Sequence, residues 1–207
     1  MFPDLTRDDV FRIETARLWL RWPCARDAEA IATLAGDPAV AGMTAAIPLP
    51  LDRGTVDAFV IRNRRENAEG RALVLALSLR EAPQGLVGLV AIAPDAEAAG
   101  PHLGYWLGRP HWGRGLMREA AGAMVEAYFA YARGAVLTSA ALVENPASRR
   151  VLEGCGFTWQ WRGERPFPAR GGPRLCDLFR QDRAAWLARR HGAGCGADVF
   201  DGIVRAA

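Results

Sequence analysis

Residues 103–128 read LGYWLGRPHWGRGLMREAAGAMVEAY. A strand-like run ends in Gly108-Arg109-Pro110, and a turn carrying Gly113 and Gly115 opens directly into a long apolar helix. A turn without side chains at two places lets backbone N–H groups approach an anion closely. The helix N-terminus behind it adds partial positive charge. Such an arrangement is worth about 0.3–1 kcal/mol at an exposed site and up to about 2 when partly buried. The segment reads as a phosphate cradle at a strand-to-helix junction.

Upstream of it, Arg17-Leu-Trp-Leu-Arg21 alternates like a half-buried first strand. Asp27 is placed to cap a helix that stops near Gly36, and residues 41–52, with Pro48 and Pro50, read as a loop. A second helix is expected from just after Thr55 to about Ala68. Two apolar runs, 72–79 and 85–93, are joined by the hairpin signature Glu81-Ala-Pro-Gln-Gly85. A turn at 95–100 then leads to a strand at 102–107.

Downstream, the long helix ends near Gly134 and residues 136–143 form a β-rich run. Asn145-Pro146 opens another helix, with asparagine as cap and proline in the first helical position, closing at Gly154-Cys155-Gly156. Phe157, Trp159 and Trp161 alternate with polar residues as a strand does, and this aromatic stripe is expected in the core. Residues 163–173 read as a Pro/Gly/Arg loop and 174–180 as a closing strand. The pattern predicts an α/β fold: a central mixed, mostly antiparallel sheet with helices on both faces. One domain over residues 1–190 is expected, followed by a glycine-containing tail, 191–207, that is loosely ordered.

The composition narrows the function. At 207 residues the chain is long enough to bury a real core. Every cationic side chain is arginine; without lysine there is neither a Schiff base nor a P-loop lysine. A net charge of +3 with scattered arginines gives no case for nucleic acid. Cys24, Cys155, Cys176 and Cys195 form no CxxC, and with only His102, His111 and His191 beside them no metal site has a framework. Free thiols in a reducing cytoplasm are the expectation. The start, MFPDLTRDD, lacks the apolar core of a signal peptide, and no apolar run nears the ~20 residues of a membrane span.

The same order of pieces resembles the GNAT superfamily of acyl-CoA-dependent N-acetyltransferases, and within it the RimJ/RimL-type branch that acetylates ribosomal-protein N-termini. The pieces are Thr15-Ala-Arg-Leu-Trp-Leu-Arg21, Tyr105-Trp-Leu-Gly108, Pro110-His-Trp-Gly-Arg-Gly115 with Glu119-Ala120, Asn145-Pro-Ala-Ser148, Gly156-Phe157 and Trp186-Leu187. They cover roughly Thr15 to Trp186. The resemblance implies a splayed sheet of about seven strands and acetyl-CoA as cosubstrate, with no metal.

It also implies roles. Main-chain amides of Trp112, Gly113, Arg114, Gly115, Leu116 and Met117 would hold the pyrophosphate of coenzyme A. Backbone groups near Trp106 and Leu107 would be left unpaired for the pantetheine arm, and the Leu107 amide would donate to the thioester oxyanion. Asn145 and Ser148, three residues apart on one helical face, would meet pantetheine and thiol, although Asn145 is equally a plain N-cap. Many superfamily members place a tyrosine further along this helix to protonate the thiolate. Here Leu152 stands there, so Ser148 is the available hydroxyl.

Three groups stand near the expected site as general bases, Glu97, His102 and Glu144, besides water. With pKa values of about 7.7–8.0 for an α-amine and about 10.4 for lysine, roughly a tenth of the former is neutral at pH 7, against far less of the latter. A weak base therefore suffices for an α-amine. The expected acceptor is a protein or peptide N-terminus, with a small-molecule amine as the alternative. A non-catalytic acyl-CoA-binding module is the competing class. Either a monomer or a homodimer is compatible with the sequence.

Overall fold

The computed structural model describes residues 11–98 and 100–192. Strand β1 (Arg12–Glu14) pairs antiparallel with β2 (Leu18–Arg21). In β2 the alternation is realised: Leu18 and Leu20 are fully buried, while Trp19 and Arg21 are half-buried. Three helices follow, α1 (Ala28–Ala35), α2 (Pro38–Ala41) and α3 (Arg53–Ala68). Asp37 caps α2, and Asp52 caps α3 through the Thr55 amide at 2.9 Å.

Asp27 does not cap α1. Its buried carboxylate instead takes both guanidinium nitrogens of Arg21 at 2.7 Å and the Cys24 amide at 2.8 Å. A nearby arginine on the neighbouring strand outcompeted the helix amides for this acceptor.

Strands β3 (Leu73–Leu79), β4 (Ala82–Ala93) and β5 (His102–Leu107) form an antiparallel meander. The β3–β4 turn is tighter than the sequence suggests, because Ala82 already pairs with Leu79. Helix α4 (Leu116–Ala130) leads to β6 (Val136–Leu142), α5 (Pro146–Cys155), β7 (Thr158–Phe167), β8 (Gly172–Asp182) and α6 (Arg183–Gly192). The expected loop 163–173 is mostly hairpin, with Pro166 opposite Pro173. Prolines are tolerated there because β6 stops pairing at Cys176, so no neighbour needs their missing N–H. Of the expected tail, His191 and Gly192 close α6, and the remainder lies outside the described residues.

The sheet is mixed and mostly antiparallel, with eight strands in the order β1-β2-β3-β4-β5-β6-β8-β7. Strand β1, three residues long, is the one too short for alternation to reveal. On one face Leu103, Leu107, Val90 and Ile92 pack with Leu116, Ala120, Met124 and Phe129 of α4. On the other, Val74, Ala76 and Leu89 pack with Ile31 of α1 and with Val56 and Val60 of α3. Buried Asn67 ties α3 to the sheet, its side chain exchanging bonds of 2.8 and 2.9 Å with the Val74 backbone.

The aromatic stripe divides. Phe157 is core, but Trp159 and Trp161 are 47% and 59% exposed. They lie on β7, an edge strand of the sheet paired with β8 alone among the described residues.

Candidate active site

The turn after β5 is exposed and carries two left-handed residues, Gly113 at φ +74° and Gly115 at φ +73°. A Cβ at Gly113 would meet nothing within 4 Å, so this glycine is there for its backbone conformation. Gly115 precedes α4, and no side chain caps that helix. Helices α2, α3 and α5 all have a carboxylate or amide cap. The first amides of α4 are thus left for an external acceptor. The side chains of Leu116 and Met117 are buried, so these two residues offer only their backbone outward.

Glu119 fixes the turn from within the helix. Its Oε1 accepts from the Thr15 hydroxyl at 2.6 Å and the Arg17 amide at 2.8 Å, and its Oε2 from Arg17 Nε at 2.6 Å. Burial alone would raise the Glu119 pKa, but the Thr15 and Arg17 donors outweigh it and hold the carboxyl below its ordinary value. The same arginine donates Nη1 to the Arg114 carbonyl at 2.8 Å. Its Nη2 lies 3.6 Å from where a Gly115 Cβ would stand, so a guanidinium lines the lip of the turn. Arg114 itself is exposed.

Behind the turn the sheet forks. β5 and β6 run parallel and pair at His102 with Thr138 alone, among the described residues. The Thr138 amide donates to the Pro101 carbonyl at 2.9 Å and the Ser139 hydroxyl to that of Leu103 at 2.7 Å, closing the narrow end. Gly108 donates to Val87 at 2.8 Å, so by antiparallel alternation Trp106 turns its backbone groups to β4, while Tyr105 and Leu107 turn theirs into the fork. The Leu107 carbonyl is taken by Trp112 Nε1 at 2.6 Å.

At the α5 side, Asn145 caps the helix by accepting from the Ser148 amide at 3.0 Å. The Ser148 hydroxyl lies 2.9 Å from the Tyr105 hydroxyl. Tyr105, part of the Tyr105-Trp-Leu-Gly108 piece but given no role by the sequence, projects with Leu103 and Leu107 toward α4 and α5 and is the polar member of that alternating trio. Burial raises its phenol pKa, so it is a neutral donor at physiological pH. Leu152 is fully buried.

His102 lies on the opposite face, in register with Ala93. Its Nδ1 stands 3.4 Å from Asp95 Oδ2, and the same carboxylate holds the guanidinium of Arg165. Burial pushes the imidazole pKa down; Asp95 pulls it back up, and Arg165 adds to the lowering. Glu97 is exposed and engaged by Arg165 at 3.5 Å. Glu144 is exposed in the turn before α5. The segments 41–52 and 163–173, both read as loops from the sequence, meet: Ala169 N–H donates to the Ala45 carbonyl at 3.1 Å and Arg170 to that of Ile47. Among the described residues no cluster of His, Cys, Asp or Glu could hold a metal, and no helix is long and apolar enough to cross a membrane.

An exposed glycine turn, an uncapped helix start and a forked sheet thus stand together at the end of β5. Comparison with known proteins gives this arrangement a family. A model of the acetyltransferase (GNAT) domain matches residues 17–158. Among solved structures, a Vibrio cholerae protein described as a ribosomal-protein-serine acetyltransferase superposes with a TM-score of 0.67 at 24% identity, covering 88% of this chain and 99% of that one. RimL, a ribosomal alpha-N-protein acetyltransferase solved with coenzyme A, gives 0.71 at 18% identity over 83% and 97%. The microcin self-immunity acetyltransferase MccE, solved with acetyl-CoA and AMP, gives 0.69 at 18% over 81% and 93%. The chain belongs to the GNAT family of acetyltransferases, enzymes whose acetyl donor is acetyl-CoA.

Proposed function

We propose that this enzyme acetylates the α-amine of a protein or peptide N-terminus, as in the RimJ/RimL branch. The observation that carries the reading is the fork with its two chemically different walls. On the α5 wall stand the hydroxyls of Tyr105 and Ser148; on the other, beyond the narrow end, stands His102.

In this reading the diphosphate of acetyl-CoA rests on the amides from Trp112 to Met117, and the pantetheine arm fills the fork beside Leu107, reaching Asn145 and Ser148. The acceptor enters from the face of α1 and α3, between the loops joined at Ala45 and Ala169. His102 stands at the far end of β5 from Leu107, so it takes a proton from the α-ammonium through intervening water, on Nε2, since Nδ1 faces Asp95. The nitrogen lone pair then attacks the thioester carbon and the π pair moves to oxygen, where the Leu107 amide donates. Removing such a donor typically costs about 2.7–4 kcal/mol of transition-state stabilisation. On collapse the C–S bond breaks, its electron pair leaves on sulfur, and Ser148 Oγ–H supplies the proton; the nitrogen sheds its second proton as the amide forms, and that proton restores the serine hydroxyl.

The depressed imidazole pKa favours this acceptor class. A base that weak takes a proton from an α-ammonium, pKa about 7.7–8.0, far more readily than from lysine at about 10.4. Thiol release from acetyl-CoA, measured against short peptides with free or blocked α-amines and against small amines, tests the assignment. Turnover with free-amine peptides is expected. Turnover confined to small amines would replace it with the small-molecule reading, and cofactor binding without transfer to any amine with the non-catalytic one.

A further inference from the structure

Ser148 is held from two directions, and the second is not explained by the helix it belongs to. Its amide is bound by the Asn145 cap, as first-turn amides are. Its Oγ is met by a hydroxyl from a different element, Tyr105 on β5, at 2.9 Å, where either oxygen can donate, and that phenol also donates to the Ser148 carbonyl at 3.2 Å. A first-turn serine left to itself turns its proton onto nearby backbone. The single phenol proton serves two acceptors: on the carbonyl it leaves Oγ–H donating to the phenol, and turned to Oγ it frees the serine proton for a third partner, as when a sulfur arrives beside it. Donation also polarises the serine O–H and makes it the stronger donor.

We infer that Tyr105 is a positioning residue that fixes the Ser148 hydroxyl as a hydrogen-bond donor aimed at the sulfur of coenzyme A. The proposal rests on the reading that the thiol end of the cofactor lies in the fork beside α5. Tyr105 does not touch the sulfur; it acts through Ser148. The side of the sheet fits this role, since Tyr105 and Leu107 both turn toward the fork while Trp106 turns away.

The test needs no acceptor. Coenzyme A bound to the intact enzyme is titrated by thiolate ultraviolet absorbance, with affinity measured separately by calorimetry. A donor at the sulfur stabilises the thiolate, so the bound thiol of the wild type should titrate below that of Ser148→Ala by about one pH unit, the worth of one hydrogen bond to a charged group. Tyr105→Phe keeps the ring and deletes only the hydroxyl. It should recover more than half of that difference, and the double variant should match Ser148→Ala, with calorimetric affinity for the diphosphate end retained throughout. A Tyr105→Phe titration identical to wild type, or two effects that add, overturns the positioning role while leaving the cofactor reading intact. Wild-type enzyme that binds no coenzyme A overturns both.

Discussion

The indole Nε1 of Trp112 donates to the carbonyl of Leu107 at 2.6 Å, so the glycine turn is fastened to the last residue of β5 by its own side chain. The turn and the fork thereby keep one geometry. The bond also occupies a carbonyl that would otherwise compete for ligand or water, leaving the Leu107 amide as that residue's offering to the fork. Trp112→Phe, which keeps an aromatic ring and removes the donor, should weaken acetyl-CoA binding about 2- to 10-fold, as expected for one net hydrogen bond. Calorimetry checks this; unchanged affinity would detach the turn from the strand in function.

The cradle also depends on backbone conformation. At φ near +70° an L side chain costs roughly 1–2 kcal/mol, and both Gly113 and Gly115 sit there. Gly115→Ala should therefore reduce acetyl-CoA affinity about tenfold. The same strain should lower the melting temperature by a few degrees, roughly 2–4 °C per kcal/mol at this chain length.

Glu119 joins three donors from the start of β2 to α4, and Arg17 carries the link on to the Arg114 carbonyl. Glu119→Ala should lower both melting temperature and cofactor affinity. Arg17 is about half exposed, so solvent screening makes its charge a minor part of the loss. Glu119→Gln, which still accepts from Thr15, should restore most of the stability. A variant that melts like wild type and binds acetyl-CoA normally would contradict the bracing role.

His102 must be neutral to act as a base. Its pKa is depressed by burial, so the acid limb of kcat/KM should lie below the ordinary imidazole value of about 6.5, with activity lost as pH falls through it. His102→Gln should reduce kcat by about 100-fold or more and abolish that limb. A profile that keeps the same limb in the variant would transfer the role to water or to Glu144.

Acid stability has a different source. The Asp27 carboxyl loses solvation on burial, yet the Arg21 guanidinium and the Cys24 amide overcome this and hold its pKa below the ordinary value. A depressed carboxylate stabilises the fold above its unfolded pKa, and that stability is lost as pH falls through the folded one. Asp27→Asn leaves Arg21 only 14% exposed without its countercharge, and should destabilise by about 3–5 kcal/mol at neutral pH. Denaturant unfolding at pH 7 and in acid measures both; the variant should show a flatter acid limb.

Local pattern carried much of the architecture. Alternation located β2, the turn at 95–100 located the start of β5, and Asn145-Pro146 located the start of α5. What it missed depends on distant partners. Asp27 looks like a cap until Arg21 is seen beside it on the adjacent strand. Trp159 and Trp161 have the periodicity of core residues, but only strand order reveals that β7 is the edge. In the site, the glycine turn was legible because its chemistry lies in consecutive residues. The Tyr105–Ser148 and Asp95–His102 pairs were not, since 43 residues separate the first pair and a chain turn aligns the second. One signal was present for Tyr105: it is the polar residue in an alternating row whose other members, Leu103 and Leu107, are buried.

Backbone-amide NMR of the enzyme titrated with acetyl-CoA puts the central claim to the most direct test. The largest perturbations should fall on Gly113 to Arg118 and on Leu107, with smaller ones at Ser148. Perturbations confined to other surfaces, such as the cavity beside Arg21 and Arg64, or no response at saturating ligand, would show that the uncapped start of α4 and the fork behind it are not where the cofactor is held.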